Sequence, residues 1–420
     1  VTGLRTRRAI EAVWRIESAR LIAGLARMVR DVGRAEDLAQ DALVAALEQW
    51  PESGVPDNPG AWLMAVGKRR AIDQIRRDVR LERKVDELGR ALELADTTPD
   101  PEASAADDIG DDLLRLIFTS CHPVLSTDAR VALTLKVLGG LSTSEIARAF
   151  LVPETTVAQR IVRAKRALAD AKVPFEVPSG PELAERLASV LEVVYLIFNE
   201  GYAATAGDDW MRPELCSDAL RLGRILAVLA PKEPETHGLV ALLELQASRS
   251  RARVDPSGEP ILLLDQDRSR WDQLLIRRGL AALRRAEELG GGPYTLQAAI
   301  AACHARAVRP EQTDWRRIAA LYAALNQVMS SPIVELNRAV AVSMAEGPAA
   351  ALPIVDALAD ERALRSYHLL PSVRGDLLDR LGRYAEARVE FERAAGLTGN
   401  TREQELLRRR AAEMTQRSRR

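Results

Sequence analysis

Apolar residues fall at helical spacing from the start of the chain. Ile10, Val13, Leu21, Ile22, Leu25, Met28 and Val29 share one face and predict a helix, and Gly33 breaks the pattern. A second run, "AEDLAQDALVAALEQW", places Leu38, Leu43, Leu47 and Trp50 on one stripe. The prolines and glycines of "PESGVPDNPG" predict a loop. "AWLMAVGKRRAIDQIRRDVRLERK" then reads as a third helix, apolar early and basic late.

The pattern lapses between Asp86 and Asp112, where Arg90 is the only basic residue among scattered Asp and Glu. "DTTPDPEASAADDIGDD" has the composition of a linker. Helical spacing resumes at Leu113 and runs to Lys172. "KVPFEVPSGPE" punctuates it, and from Leu183 to about Arg410 the chain reads as helical almost throughout. The last part hints at repeats. In "RGDLLDRLGRYAEARVEFERAAGLTGN", Gly382, Tyr384, Ala387, Phe391 and Ala394 match half of the tetratricopeptide pattern, whose period is about 34 residues.

Composition narrows the class. The chain has 420 residues, long enough for two to four domains at about 100–200 residues each. It is rich in Ala, Leu, Arg and Glu, which favours helix over strand. The net charge of −1 hides basic stretches offset by the acidic one. Three widely spaced cysteines, Cys121, Cys216 and Cys303, argue against a disulfide framework and for a reducing compartment. The start lacks a signal-peptide core, and no stretch reaches the roughly 18 apolar residues of a membrane span. The expectation is a cytoplasmic protein without cofactor or membrane contact.

The most informative segment is "LSTSEIARAFLVPETTVAQRIVRAKRAL". Ser142 predicts a helix N-cap with Glu145 as its capping-box partner. After the turn "LVPE", Val157, Ile161, Ala164 and Leu168 point inward, while Thr155, Thr156, Gln159, Arg160, Arg163 and Arg166 point outward. Two short helices, a tight turn and a polar, basic second helix make a helix-turn-helix, a form that enters the DNA major groove. Gln and Arg there can pair with adenine and guanine edges. A second basic stretch runs from Lys68 to Lys84 on the helix that carries Trp62, and combines phosphate-binding charge with an aromatic platform for an unpaired base.

These two segments, in this order, resemble regions 2 and 4 of the extracytoplasmic-function (ECF) sigma factors of bacterial RNA polymerase. The resemblance covers residues 9–172. It implies an all-α fold: a region 2 domain over 1–85, an acidic linker over 86–112, a region 4 helix-turn-helix domain over 113–172, and a helical, tetratricopeptide-like extension over 182–420. It also implies roles. Glu36, Asp37, Gln40 and Asp41 would meet core polymerase, with the clamp and flap as partners. Trp62, Lys68, Arg69, Arg70, Asp73, Arg76 and Arg77 would open and hold the −10 element, and the outward residues of the second helix would read the −35 element. Two departures bear on specificity: Arg69 stands where the family usually has Asn four residues before the Asp, and Ala158 where a basic residue is common. In an ECF subgroup such an extension is thought to tune activity.

Two other classes stay open on the residues alone. One is a stand-alone helix-turn-helix regulator with a ligand- or peptide-binding helical domain, which does not need the Glu36–Asp41 and Lys68–Arg77 segments. The other is an enzyme, but His122, His237, His304 and His368 lack metal-ligand spacing and no catalytic motif occurs. "YLIFNEGYAAT" ends a helical stripe running from Leu183 to Ile197. Tyr195, Phe198, Asn199, Glu200, Gly201 and Tyr202 read as a docking element of the extension against the sigma domains, with Gly201 as a left-handed helix cap.

Overall fold

The computed structural model describes residues 2–89, 108–150, 152–203, 206–207, 210–256 and 259–418. The chain divides into two compact units, Val1–Val193 and Val194–Arg420. Most of the expected acidic linker lies outside the described residues. At its edges the helices run further than the sequence suggested.

Unit 1 is built from α1 (Thr2–Val29), α2 (Val32–Ser53), α3 (Pro59–Gly89), α4 (Asp108–Ser120), α5 (Thr127–Val137), α6 (Thr143–Phe150), α7 (Glu154–Asp170) and the first half of α8 (Pro181–Tyr202). The break after α1 falls at Arg30 and Asp31 rather than at Gly33. Asp31 caps α2 by accepting the Arg34 N–H at 2.8 Å. Gly33 sits inside α2, where a Cβ would press on the Lys165 side chain at 3.3 Å. The loop expected from Pro51 starts later too. Pro51 lies in the last turn of α2, which Gly54 closes at φ 84°. Asn58 starts α3 by accepting the Ala61 N–H at 3.0 Å, with Pro59 at the first helical position.

Unit 2 continues with the end of α8, then α9 (Pro213–Leu229), α10 (Pro234–Ala247), α11 (Gln273–Glu288), α12 (Pro293–Arg306), α13 (Trp315–Val328), α14 (Pro332–Glu346), α15 (Pro348–Ala357), α16 (Leu369–Arg380), α17 (Tyr384–Leu397) and α18 (Thr401–Arg417). Most of these helices pack on the next in sequence. Proline stands in the first turn of α9, α10, α12, α14 and α15, where its missing N–H costs nothing. Residues 206–207 pair in parallel with 399–400, which ties the start of this unit to its last helix. Ala387, Phe391 and Ala394 of α17 are fully buried, and Gly375 of α16 lies flat against the Phe391 ring.

The expectation of nearly continuous helix fails between α10 and α11. Two short 3₁₀ turns and an isolated bridge, Val254 with Pro260, occupy that connection. Buried arginines hold it. Arg268 donates to the His304 and Ala307 carbonyls at 2.9 and 2.7 Å, and Arg253 donates to the Tyr202 carbonyl. Sequence periodicity carries no trace of these contacts because they join distant residues.

The Gly201 cap is also corrected. Gly201 is helical, within α8, and has no positive φ. Its Hα side meets α9 instead: a Cβ there would stand 2.6 Å from the Cys216 amide nitrogen and 2.9 Å from the Arg212 carbonyl. Gly201→Ala forces backbone apart and is expected to destabilise unit 2 by about 1–3 kcal/mol. Urea unfolding followed by circular dichroism measures this; an unchanged midpoint would contradict the close approach.

Candidate nucleic-acid interface

The helix-turn-helix forms as its residues dictate. Ser142 and Glu145 cap each other: the Ser142 N–H donates to Glu145 Oε2 at 2.7 Å, and the Glu145 N–H to Ser142 Oγ at 3.2 Å. Burial works against the Glu145 charge, but these bonds and Arg15 at 2.7 Å outweigh it and hold the carboxyl below its usual range. Val157, Ile161, Ala164 and Leu168 of α7 are buried. That leaves Thr155, Ala158, Gln159, Val162 and Arg163 exposed along the opposite face, with Thr156 and Arg160 half-buried beside them. Arg160 pairs with Asp128 at 2.9 Å and Arg166 with Asp170 at 3.5 Å. Arg163 has no ion pair among the described residues. Val162 is 63% exposed, an apolar group able to meet a thymine methyl.

On α3, Lys68, Arg69, Asp73, Arg76 and Arg77 are exposed. Arg77 donates to its own helix at the Asp73 carbonyl, 3.3 Å away, and Arg70 pairs with Asp41 of α2 at 3.1 Å. Lys68, Arg69, Arg76 and Arg77 carry no ion pair among the described residues, so their charge is available to phosphates. Trp62 is half-buried. Its ring meets the buried Trp50 edge-on at 5.3 Å, which fixes the ring and leaves part of it to solvent.

The four polar residues of α2 divide. Asp37, Gln40 and Asp41 are exposed, and Val44 and Leu47 extend their stripe as apolar members at 48% and 42% exposure. Glu36 is 3% exposed. Its carboxylate contacts Lys165 of α7, meets Lys136 of α5 at 3.6 Å, and accepts from Gln40. Lys165 also reaches Asp37 at 3.3 Å. The helix-turn-helix part therefore lies against the N-terminal helices. Arg15 with Glu145 and Arg27 with Asp112, the latter at 3.4 Å, reinforce the seam. At Gly140, φ 70°, a Cβ would stand 2.8 Å from Ser18 Oγ. None of these partners was found from the sequence; the one available signal was a glutamate placed beside Ala35 and Ala39 on an inward stripe.

The first half of α8 docks on the same unit. Arg186 donates to the Phe118 carbonyl at 2.9 Å and Ser189 to the Cys121 carbonyl at 2.7 Å. The expected docking residues lie further on, in unit 2. Tyr195 stands edge-on to Tyr294, Phe198 stacks on Tyr202, Asn199 is half-buried with its carbonyl bound to the Ala203 N–H, and Glu200 pairs with Arg212. The three cysteines are buried, and burial pushes the Cys121 and Cys216 thiols up to about 11 and 12, so both stay protonated at neutral pH. Among the described residues no His, Cys, Asp or Glu cluster could hold a metal ion, and no helix is long and apolar enough to cross a membrane.

Comparison with known proteins bears on these two surfaces. Residues 16–81 match sigma-70 region 2, and residues 115–168 match sigma-70 region 4. The "Probable RNA polymerase sigma-C factor" of Mycobacterium bovis is 32% identical over 143 residues, 34% of this chain and 72% of that protein. This chain belongs to the ECF sigma factors. The "ECF RNA polymerase sigma factor SigK" of Mycobacterium ulcerans is 28% identical over 149 residues, 34% of this chain and 75% of its own. Beyond region 4, residues 186–287 of this sigma factor match a family of unknown function, DUF6596. "Uncharacterized protein R00370" of Rhizobium meliloti is 46% identical over 393 residues, 92% of this chain and 91% of its own, so it matches the extension too. A sigma factor's partners are core RNA polymerase and promoter DNA, and sigma factors are not a class of enzyme.

The seam has a definite pH signature. Burial alone would lower the Lys165 pKa, but Glu36 and Asp37 raise it above the ordinary 10.5. A raised lysine contributes its full stability below the unfolded value and loses it as pH rises through the folded one. Lys165→Ala leaves Glu36 with Lys136 and Gln40 and is expected to cost unit 1 about 2 kcal/mol, less than the roughly 3–5 kcal/mol of a fully orphaned buried charge. Denaturant unfolding of both proteins across pH checks this: the difference stays constant from about pH 7 to 9 and shrinks above 10.5. A difference that vanishes at neutral pH would contradict the seam.

Proposed function

We propose that this ECF factor docks on core polymerase through the exposed stripe of α2, reads the −35 element with α7 and holds the opened −10 element with α3. Asp37, Gln40 and Asp41 with Val44 and Leu47 give a mixed acidic and apolar surface suited to a basic helical partner. Gln159 and Arg163 read bases, while Thr155, Thr156, Arg160 and Arg166 position the helix on the backbone. Trp62 stacks an unpaired base, and Lys68, Arg69, Arg70, Arg76 and Arg77 neutralise the strand around it, with Asp73 among them. The observation that carries the reading is that both basic faces stand open, with Arg163, Lys68, Arg69, Arg76 and Arg77 free of carboxylate partners among the described residues.

Glu36 adds a second element. It belongs to the proposed core-facing helix yet is held by region 4 through Lys165 and Lys136. We read the seam as the resting arrangement, exchanged for polymerase contacts on binding. The extension, a tetratricopeptide-like scaffold on this reading, tunes that exchange; what supports a link is that α8 contributes residues to both units. The protein acts in the cytoplasm, without a catalytic role of its own.

Run-off transcription with core polymerase and the purified chain tests the assignment: promoter-dependent transcript is expected, and failure to bind core would overturn it. Arg163→Ala is expected to weaken −35 binding by about 1–3 kcal/mol and to relax specificity there. Electrophoretic shift with altered −35 sequences measures both, and an equal loss on every sequence would reduce Arg163 to a phosphate contact. Truncation after Val193, which keeps the residues docked on region 4, should change run-off yield; an unchanged yield would remove the regulatory role of the extension.

A further inference from the structure

A cleft of about 680 Å³ opens in unit 1 among the end of α1, the start of α2, α4 and the end of α7. Its walls carry five cations, Arg27, Arg30, Arg115, Lys165 and Lys172, against two carboxylates, Asp31 and Glu176. Asp31 is committed to capping α2. Arg27 and Arg115 reach Asp112 at 3.4 and 2.7 Å, and Lys165 is held by Glu36 and Asp37. Arg30 and Lys172 have no ion pair among the described residues.

Those two residues are also the exceptions in the backbone. Among the described residues they are the only non-glycines with positive φ, at 51° and 48°. Both close helices. The Arg30 N–H donates to the Ala26 carbonyl at 2.8 Å. Lys172 is the left-handed residue of a Schellman closure, with Lys172 N–H to Ala169 carbonyl at 3.0 Å and Val173 N–H to Leu168 carbonyl at 3.1 Å. Glycine suits such positions, and the chain uses it elsewhere, at Gly54 and Gly382. At this one cleft it carries two long cationic side chains instead, and strain of this kind gathers at functional sites.

The lining defines a ligand. Three of the five cations are already met by carboxylates, which leaves the Arg30 guanidinium and the Lys172 ammonium at the cleft without a partner among the described residues, a pair that matches phosphate oxygens. Leu168, Val173 and Phe175 supply an apolar wall. The volume lies within the roughly 300–1,000 Å³ of small-molecule sites. None of the five cations belongs to the base-facing residues of α7, so the cleft is separate from promoter reading. We propose that it binds a small phosphorylated anion, either a nucleoside triphosphate or inorganic polyphosphate, with Arg30 and Lys172 as its dedicated phosphate-binding side chains. This goes beyond the sigma-factor role and stands without it.

Calorimetric titration of the full chain with ATP, AMP and inorganic tripolyphosphate, at about 0.15 M salt, tests the proposal. Saturable binding of ATP or tripolyphosphate is expected. Arg30→Gly with Lys172→Gly should raise Kd at least about tenfold. Because glycine relieves both positive-φ positions, the thermal midpoint should hold or rise, which separates lost binding from lost folding. Tripolyphosphate binding as tightly as ATP assigns inorganic polyphosphate; ATP binding more tightly than both other probes assigns the nucleotide. Arg277→Ala with Arg284→Ala, exposed on α11, removes equal charge elsewhere and should leave Kd unchanged. No saturable heat from any probe, or equal weakening by the two pairs of substitutions, overturns the site.

Discussion

The Glu36 carboxylate, 3% exposed, sets the arrangement of unit 1. A charge this far from water is tolerated only with a compensating partner. Gln40 of the same helix donates to the carboxylate, but its cationic partners, Lys136 and Lys165, come from α5 and α7, so its charge is compensated only while the helix-turn-helix part lies against α2. Desolvating both sides cancels most of the Coulombic gain, so the pair adds little net stability. It penalises every other register, in which a buried charge would be left alone. Gly33 gives the Lys165 side chain room beside α2, where a Cβ would stand 3.3 Å from it.

One helix therefore serves two purposes. Its outer stripe of Asp37, Gln40, Asp41, Val44 and Leu47 stays at the surface, while its inner glutamate is held by region 4. The basic faces of α3 and α7 stay in solvent. On the proposed reading, the promoter-reading faces are open while part of the polymerase-binding helix is engaged internally. Glu36 and Asp37 raise the Lys165 pKa above its ordinary value, so the lysine keeps its charge in the seam across neutral pH.

Much of this was legible in the sequence, and the reason is local. The Ser142–Glu145 capping box and the inward register of α7 depend on residues within one or two turns, and both appear as read. On α3, Lys68, Arg69, Arg76 and Arg77 are exposed, while Arg70 is half-buried and pairs with Asp41. Helix ends were less legible: Gly33 looked like a breaker and Gly201 like a cap, but each is a close-approach glycine whose reason lies in a distant segment. The buried role of Glu36, the clamps at Arg253 and Arg268 and the docking of Arg186 and Ser189 on region 4 were invisible for the same reason. A charged residue on an outward-looking list shows its partner only when the chain is folded.

The Glu36–Lys165 contact holds region 4 against α2 in the free chain. Spin labels on cysteines replacing the exposed Glu48 of α2 and Asp170 of α7 report this directly by double electron–electron resonance, since the native cysteines are buried. A single narrow distance distribution is expected in the free chain, broadened by Lys165→Glu and shifted by added core polymerase. A broad distribution in the free chain, indifferent to Lys165→Glu, would mean that the seam does not hold region 4 in place.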